Sequence, residues 1–156
     1  MRATKAGTAA VLAVIVVACS DGGGGSSAAR SALVEYAQGD WHCEITADGM
    51  PGLAVDATVR ADSGTQGTFT VAFPTGGPPE EGEWRLDGRS LEMDVRALSS
   101  YTAEGVDLDT DGIEILEHAP GSELQQVAIE RDGDTATFSW PDPWTNTPTQ
   151  MTCSKS

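Results

Sequence analysis

From Gly39 onward, apolar and polar residues alternate in short runs broken by glycine, proline and acidic residues, a pattern that predicts antiparallel strands with one buried face. The clearest unit is LQQVAIERDGDTATFSW, residues 124–140. A two-residue turn at Asp132-Gly133 sets Ile129 opposite Ala136, Val127 opposite Phe138 and Gln125 opposite Trp140, so turn and pattern gather the apolar side chains on one face. A second hairpin, GEWRLDGRSLEMDV, turns at Asp87-Gly88. It sets Trp84 across from Leu91 and adds Leu86, Met93 and Val95 to that face, while Arg85, Asp87, Glu92 and Asp94 face water. Leu53, Val55, Ala57 and Val59 alternate as well, and Phe69, Val71 and Phe73 follow a turn-rich stretch at 61–67. Further strands are expected at 41–46, 101–108, 112–117 and 150–154. The proline-bearing segments 76–82 and 141–149 read as loops, because proline removes a ladder donor.

Eight to ten short strands in sequence order predict an all-β fold: an antiparallel meander forming a small closed barrel or strongly curved sheet, as a single domain over residues 39–156. Ahead of it, residues 27–39 read either as a short helix from Ser27 or Ser31, with Leu33, Val34 and Tyr36 apolar and Gly39 as the stop, or as a semi-ordered lead-in. The segment GEWRLDGRSLEM resembles an element of small bacterial lipocalin-like β-meander lipoproteins, in which a Gly-x-Trp strand turns through Asp-Gly into the next. That likeness covers 12 residues and implies an architecture, with no ligand.

The chain opens differently. Arg2 and Lys5 precede an uncharged run of 12 residues, 7–18, which has the layout of a secretion signal. As a helix the run is about 18 Å long, short of the roughly 20 residues that cross a hydrocarbon core. Val16-Val17-Ala18-Cys19 resembles the lipobox of bacterial lipoproteins, with valine where leucine is commonest. The resemblance implies removal of residues 1–18, attachment of lipid to the Cys19 sulfur, and display on the outer face of the cytoplasmic membrane. Residues 19–38 then form the lipidated cysteine, a Gly/Ser tether and the short helix. With Cys19 assigned to lipid, Cys43 and Cys153 remain as an even pair in a compartment that permits a disulfide. Such a bridge joins the first and last expected strands, which favours closure of the sheet over an immunoglobulin-like sandwich.

Charge narrows the partners. The chain carries a formal −15, and loss of Arg2 and Lys5 makes it −17. That sign opposes nucleic acid and favours cations and basic partners. Abundant alanine and glycine with almost no lysine fits a GC-rich genome of the actinobacterial kind.

Candidate chemistry is sparse. Asp107, Asp109, Asp111 and Gly112 match the opening DxDxDG of a calcium loop, with Glu114 as a fourth oxygen donor, but His118 stands where the bidentate glutamate belongs. A reduced calcium site and a plain acidic turn both fit the string. His42 and His118 have no metal-ligand spacing, and HExxH, GxSxG and nucleotide fingerprints are missing from the sequence. Trp84 and Trp140 fall on inward faces, while Trp41 and Trp144 are candidates for partner or ligand contacts, with Trp144, in the 141–149 loop, placed either to cover a barrel mouth or to meet a partner. The expected function is therefore a noncatalytic cell-envelope binding or interaction module, taking an envelope protein or a small apolar ligand, with no cofactor beyond calcium. The alternatives are a structural or inhibitory envelope protein, a calcium-stabilised β module and a small secreted hydrolase.

Overall fold

The computed structural model describes residues 27–156 apart from 75, 97, 98, 108, 109, 143 and 144. One helix, α1 (Ser27–Ala37), leads into ten strands: β1 (Gly39–Ala47), β2 (Leu53–Ser63), β3 (Gln66–Ala72), β4 (Glu80–Asp87), β5 (Ser90–Val95), β6 (Ser99–Glu104), β7 (Gly112–Glu117), β8 (Gln125–Asp132), β9 (Thr135–Pro141) and β10 (Pro148–Lys155). Each strand pairs antiparallel with its sequence neighbour, and β10 returns to β1 to close the barrel. The closing seam runs from Trp41↔Lys155 to Ala47↔Thr149 and sets Cys43 directly opposite Cys153. Their sulfurs are bonded, and their α-carbons lie 4.0 Å apart.

Both hairpin turns fall one residue later than the sequence suggested. The pairs are Asp132↔Thr135 and Ile129↔Phe138 in one, and Asp87↔Ser90, Leu86↔Leu91 and Trp84↔Met93 in the other. The two-residue loops are therefore Gly133-Asp134 and Gly88-Arg89. Each puts glycine first, at φ 59° and 61°, as a type II′ turn requires. The partner shifts by two positions, so every side chain keeps its face. Strands also invade both expected loops: Glu80, Glu81 and Gly82 belong to β4, and Pro141 pairs with Pro148. Conversely, β6 stops at Glu104 and β3 at Ala72, leaving Phe73 outside the ladder.

Inward positions form one core, in which Trp41, Phe69, Leu91, Met93, Phe138 and Met151 are all under 2 % exposed. Ten strands enclose a wider lumen than the eight that side chains alone fill comfortably. Large side chains and the buried Leu33, Val34 and Ala37 of α1 occupy the extra width. The helix closes the end of the barrel where β1 starts. Gly39, at φ 132°, turns the chain from helix to strand. Trp41 Nε1 donates to the Ala37 carbonyl at 2.9 Å, Tyr36 Oη donates to the Gly133 carbonyl at 2.9 Å, and Lys155 Nζ donates to the Tyr36 carbonyl at 2.8 Å. The same ammonium lies 5.2 Å from the Tyr36 ring centre and 5.6 Å from that of Trp41, within cation–π range.

Across the β3–β4 seam, Gly67 pairs with Trp84 and Gly82 with Phe69, so each aromatic ring covers the glycine opposite. A β-carbon at Gly67 would meet Trp84 Cε2 and Ala61 Cα, each at 2.8 Å. One at Gly82 would press on the Phe69 ring and the Asp94 carbonyl. The absent side chains let the wall bend inward while the rings fill the volume.

Two stability measurements test this account. Gly82→Ala should cost about 1–3 kcal/mol in urea unfolding, because backbone as well as ring must move; a change below about 0.5 kcal/mol would show the seam to be looser than described. Replacing both cysteines, C43A/C153A, should cost up to about 4.7 kcal/mol from the chain-entropy relation for a loop near this length. An unfolding free energy equal to that of the parent protein would remove the staple from the account.

Candidate functional site

The two barrel ends differ. At the end opposite α1, the inward alternation of three strands runs past the apolar core and ends in polar residues: Glu80 before Gly82 on β4, Ser99 before Tyr101 on β6, and Glu117 after Ile115 on β7. These form a polar layer at the open mouth. Ser99 and Tyr101 hydroxyls donate to Glu117 Oε1 at 2.9 and 3.1 Å, and Ser122 Oγ donates to Glu117 Oε2 at 3.4 Å. Burial raises the Tyr101 pKa to about 12, with the negative charges of Glu117 and Glu80 adding to the shift. Tyr101 is thus a neutral donor and Glu117 its acceptor, an arrangement that holds the 118–124 connection against the mouth.

From that mouth a groove of about 1260 Å³ runs over β7 and β8. Its apolar lining includes Tyr101, Ile113, Ile115, Leu124 and Val127. A smaller groove of about 530 Å³ opens at the same end beside Trp140, Pro148 and Thr149. Neither is a chamber of the lipocalin kind, because the barrel axis is packed with side chains.

The residues singled out from sequence are dispersed. Cys19, Asp109 and Trp144 lie outside the described residues. Asp107 is ion-paired to Arg89 Nε at 3.0 Å, and Glu114 accepts from Gln126 Nε2 at 3.4 Å. Asp111 is exposed, and its carbonyl accepts from the Ile129 amide at 2.7 Å. Among the described residues no group of three His, Cys, Asp or Glu side chains converges as a metal site. Trp41 is 1 % exposed under α1 and belongs to the core. His42 sits on the outer wall with Nδ1 2.7 Å from Asp56 Oδ1. The polar mouth itself escaped the sequence reading. Its signal was the inward alternation of residues 113, 115 and 117, which ends on a carboxylate, and that of residues 86, 84 and 82, which reaches Glu80.

No protein-family model and no curated protein sequence matches the chain. Among solved structures it is similar to a redesigned β-barrel, at 12 % identity over 84 % of this chain and 99 % of that one, with a TM-score of 0.43. It is also similar to a de novo designed fluorescence-activating β-barrel, at 9 % identity over 79 % of this chain and 96 % of that one, with a TM-score of 0.40. The closed barrel of this chain is established by its own strand ladder.

The chain has two tyrosines, and burial raises the pKa of Tyr36 as well, so an ultraviolet pH titration of the protein beside its Tyr101→Phe variant isolates the mouth. Tyr101 should ionise near pH 12 rather than near its ordinary value of 10.0. Between those values the unfolded chain releases the proton and the folded chain keeps it. This contribution to stability is therefore complete below pH 10 and lost as the pH rises to 12. Tyr101→Phe should remove the late absorbance step and that part of the alkaline decline; a step unchanged in the variant would assign it elsewhere.

Proposed function

We propose that this protein is a noncatalytic binding module of the cell envelope, tethered to the outer face of the cytoplasmic membrane through lipid on Cys19 and recognising its target at the open end of the barrel. The observation that carries the reading is the asymmetry of the two ends. Helix α1 covers one end with Leu33, Val34 and Ala37, while the other opens into the two grooves around its polar rim. Apolar clefts with a few convergent polar groups are the common form of a binding site.

Tether geometry supports the same reading. Only residues 20–26 separate Cys19 from Ser27, a span of at most about 29 Å when extended. A lipid at Cys19 would hold the helix-capped end within that reach of the bilayer and leave the open mouth free of the attachment point. The packed interior favours a target that lies along the surface over one swallowed whole. The protein-binding form of the module therefore stands ahead of a carrier for a small apolar ligand.

The test uses the full chain expressed in a bacterium that processes lipoproteins. Intact mass should show loss of residues 1–18 and a diacylglycerol adduct, and Cys19→Ser should move the protein from the membrane fraction to the soluble one. A Cys19→Ser protein that stays membrane-bound with residues 1–18 attached would overturn the anchoring.

A further inference from the structure

Helix α1 is held in place by groups that it does not itself contain. It has no acidic residue in its first turn and no basic residue in its last, so neither end of its dipole meets a charge of its own. At 11 residues it is also shorter than helices that stand alone in water. It buries Leu33, Val34 and Ala37, while Ala28, Ser31, Ala32 and Glu35 are exposed. The carbonyls of its last turn, which lack partners within the helix, find them on the barrel: Lys155 Nζ donates to Tyr36 and Trp41 Nε1 to Ala37. Lys155 is the only lysine after Lys5. From β10 it supplies the cation that the helix C-terminus lacks, and the same ammonium lies against the Tyr36 and Trp41 rings. Gly39 leaves room for its stem, since a β-carbon there would stand 2.8 Å from Lys155 Cε.

The barrel does not lean on the helix in return. The closing seam begins at Trp41↔Lys155 and the β1–β2 ladder at Gly39↔Val59, both beyond the last residue of α1. The disulfide at Cys43 lies further still along β1. Undocking α1 therefore breaks no strand pair and no covalent link. Elements that bury few apolar side chains open locally, ahead of global unfolding.

We propose that α1 is a latched extension of the tether: Lys155 keeps it docked, and its release from a barrel that stays closed lengthens the reach of the anchored protein. This rests on the anchoring at Cys19 proposed above. With α1 docked, residues 20–26 span at most about 29 Å between Cys19 and Ser27. With α1 released, residues 20–38 span at most about 72 Å between Cys19 and Gly39. The open mouth is untouched by the change, because α1 covers the other end. Lys155 is a positioning residue: it acts through the helix.

Arg30 provides a reporter, being the one basic residue between Cys19 and Arg60. An arginine-specific protease cuts after it through the open form, at a rate that follows the population of that form. In the full chain processed by a bacterium, Lys155→Met keeps the apolar stem and removes the ammonium. It should raise both cleavage at Arg30 and amide hydrogen exchange at residues 33–38 about tenfold, while exchange at Phe138 and Met151 changes less than about twofold. Lys155→Arg, which keeps the cation, should recover most of the difference. Exchange at residues 33–38 with the same urea dependence as at Phe138 and Met151 would show that α1 opens only with the barrel and would overturn the proposal. Equal acceleration of both sets by Lys155→Met would overturn it as well, by making the lysine a general stability residue. On isolated membranes the cut at Arg30 should liberate the barrel. A barrel that stays on the membrane after complete cutting would overturn the Cys19 anchor, and with it the change of reach, while leaving the latch.

Discussion

Closure of β1 onto β10 is the constraint on which the molecule depends. Nine of the ten ladders join sequence neighbours and need only short connections; the tenth joins residues 110 apart in the chain. Closing so long a loop has an entropic cost that grows slowly with length, and the meander recovers it by removing both free edges of a ten-stranded sheet. The disulfide sits inside that seam, at directly opposed residues, and so restrains the unfolded chain at the one contact that local sequence cannot promote.

Once the seam is closed, the ends of the barrel acquire different characters. At the α1 end, Lys155 and Trp41 belong to the closing strands, and both reach the helix, so the seam and the plug hold each other. At the other end the described residues place no helix, and the inward row of β7 finishes on Glu117 with Ser99 and Tyr101 from β6 satisfying it. A carboxylate placed on an inward row is tolerable only where the lumen meets water and donors are at hand. The polar mouth is therefore a consequence of where the core stops, and the grooves begin there.

The sequence was legible where local rules and global packing agree. The strand pattern, the helix stop at Gly39, the inward faces of both hairpins and the pairing of Cys43 with Cys153 all follow from period, turn chemistry or cysteine count. Turn placement was one residue off because Asp-Gly can supply glycine as either central residue, and the twist of the barrel selects the II′ form with glycine first. Gly67 closed the turn-rich stretch 61–67 and Gly82 the proline-bearing stretch 76–82; the facing Trp84 and Phe69 rings place both inside the β3–β4 ladder.

The alternation of side chains by itself determined an antiparallel β fold with a defined buried face, because a period of two is a property of each strand alone. Tertiary structure decided which strands meet at the closing seam, that α1 plugs one end, that Trp41 is core, and that a groove opens at the other end. Each of these depends on distances between residues remote in the chain, set by lumen width and strand twist, which no local pattern encodes. The gathering of Glu104, Asp111, Glu114, Glu117 and Glu123 along one groove is of this kind: the sequence supplied the charges, and closure of the barrel sorted them.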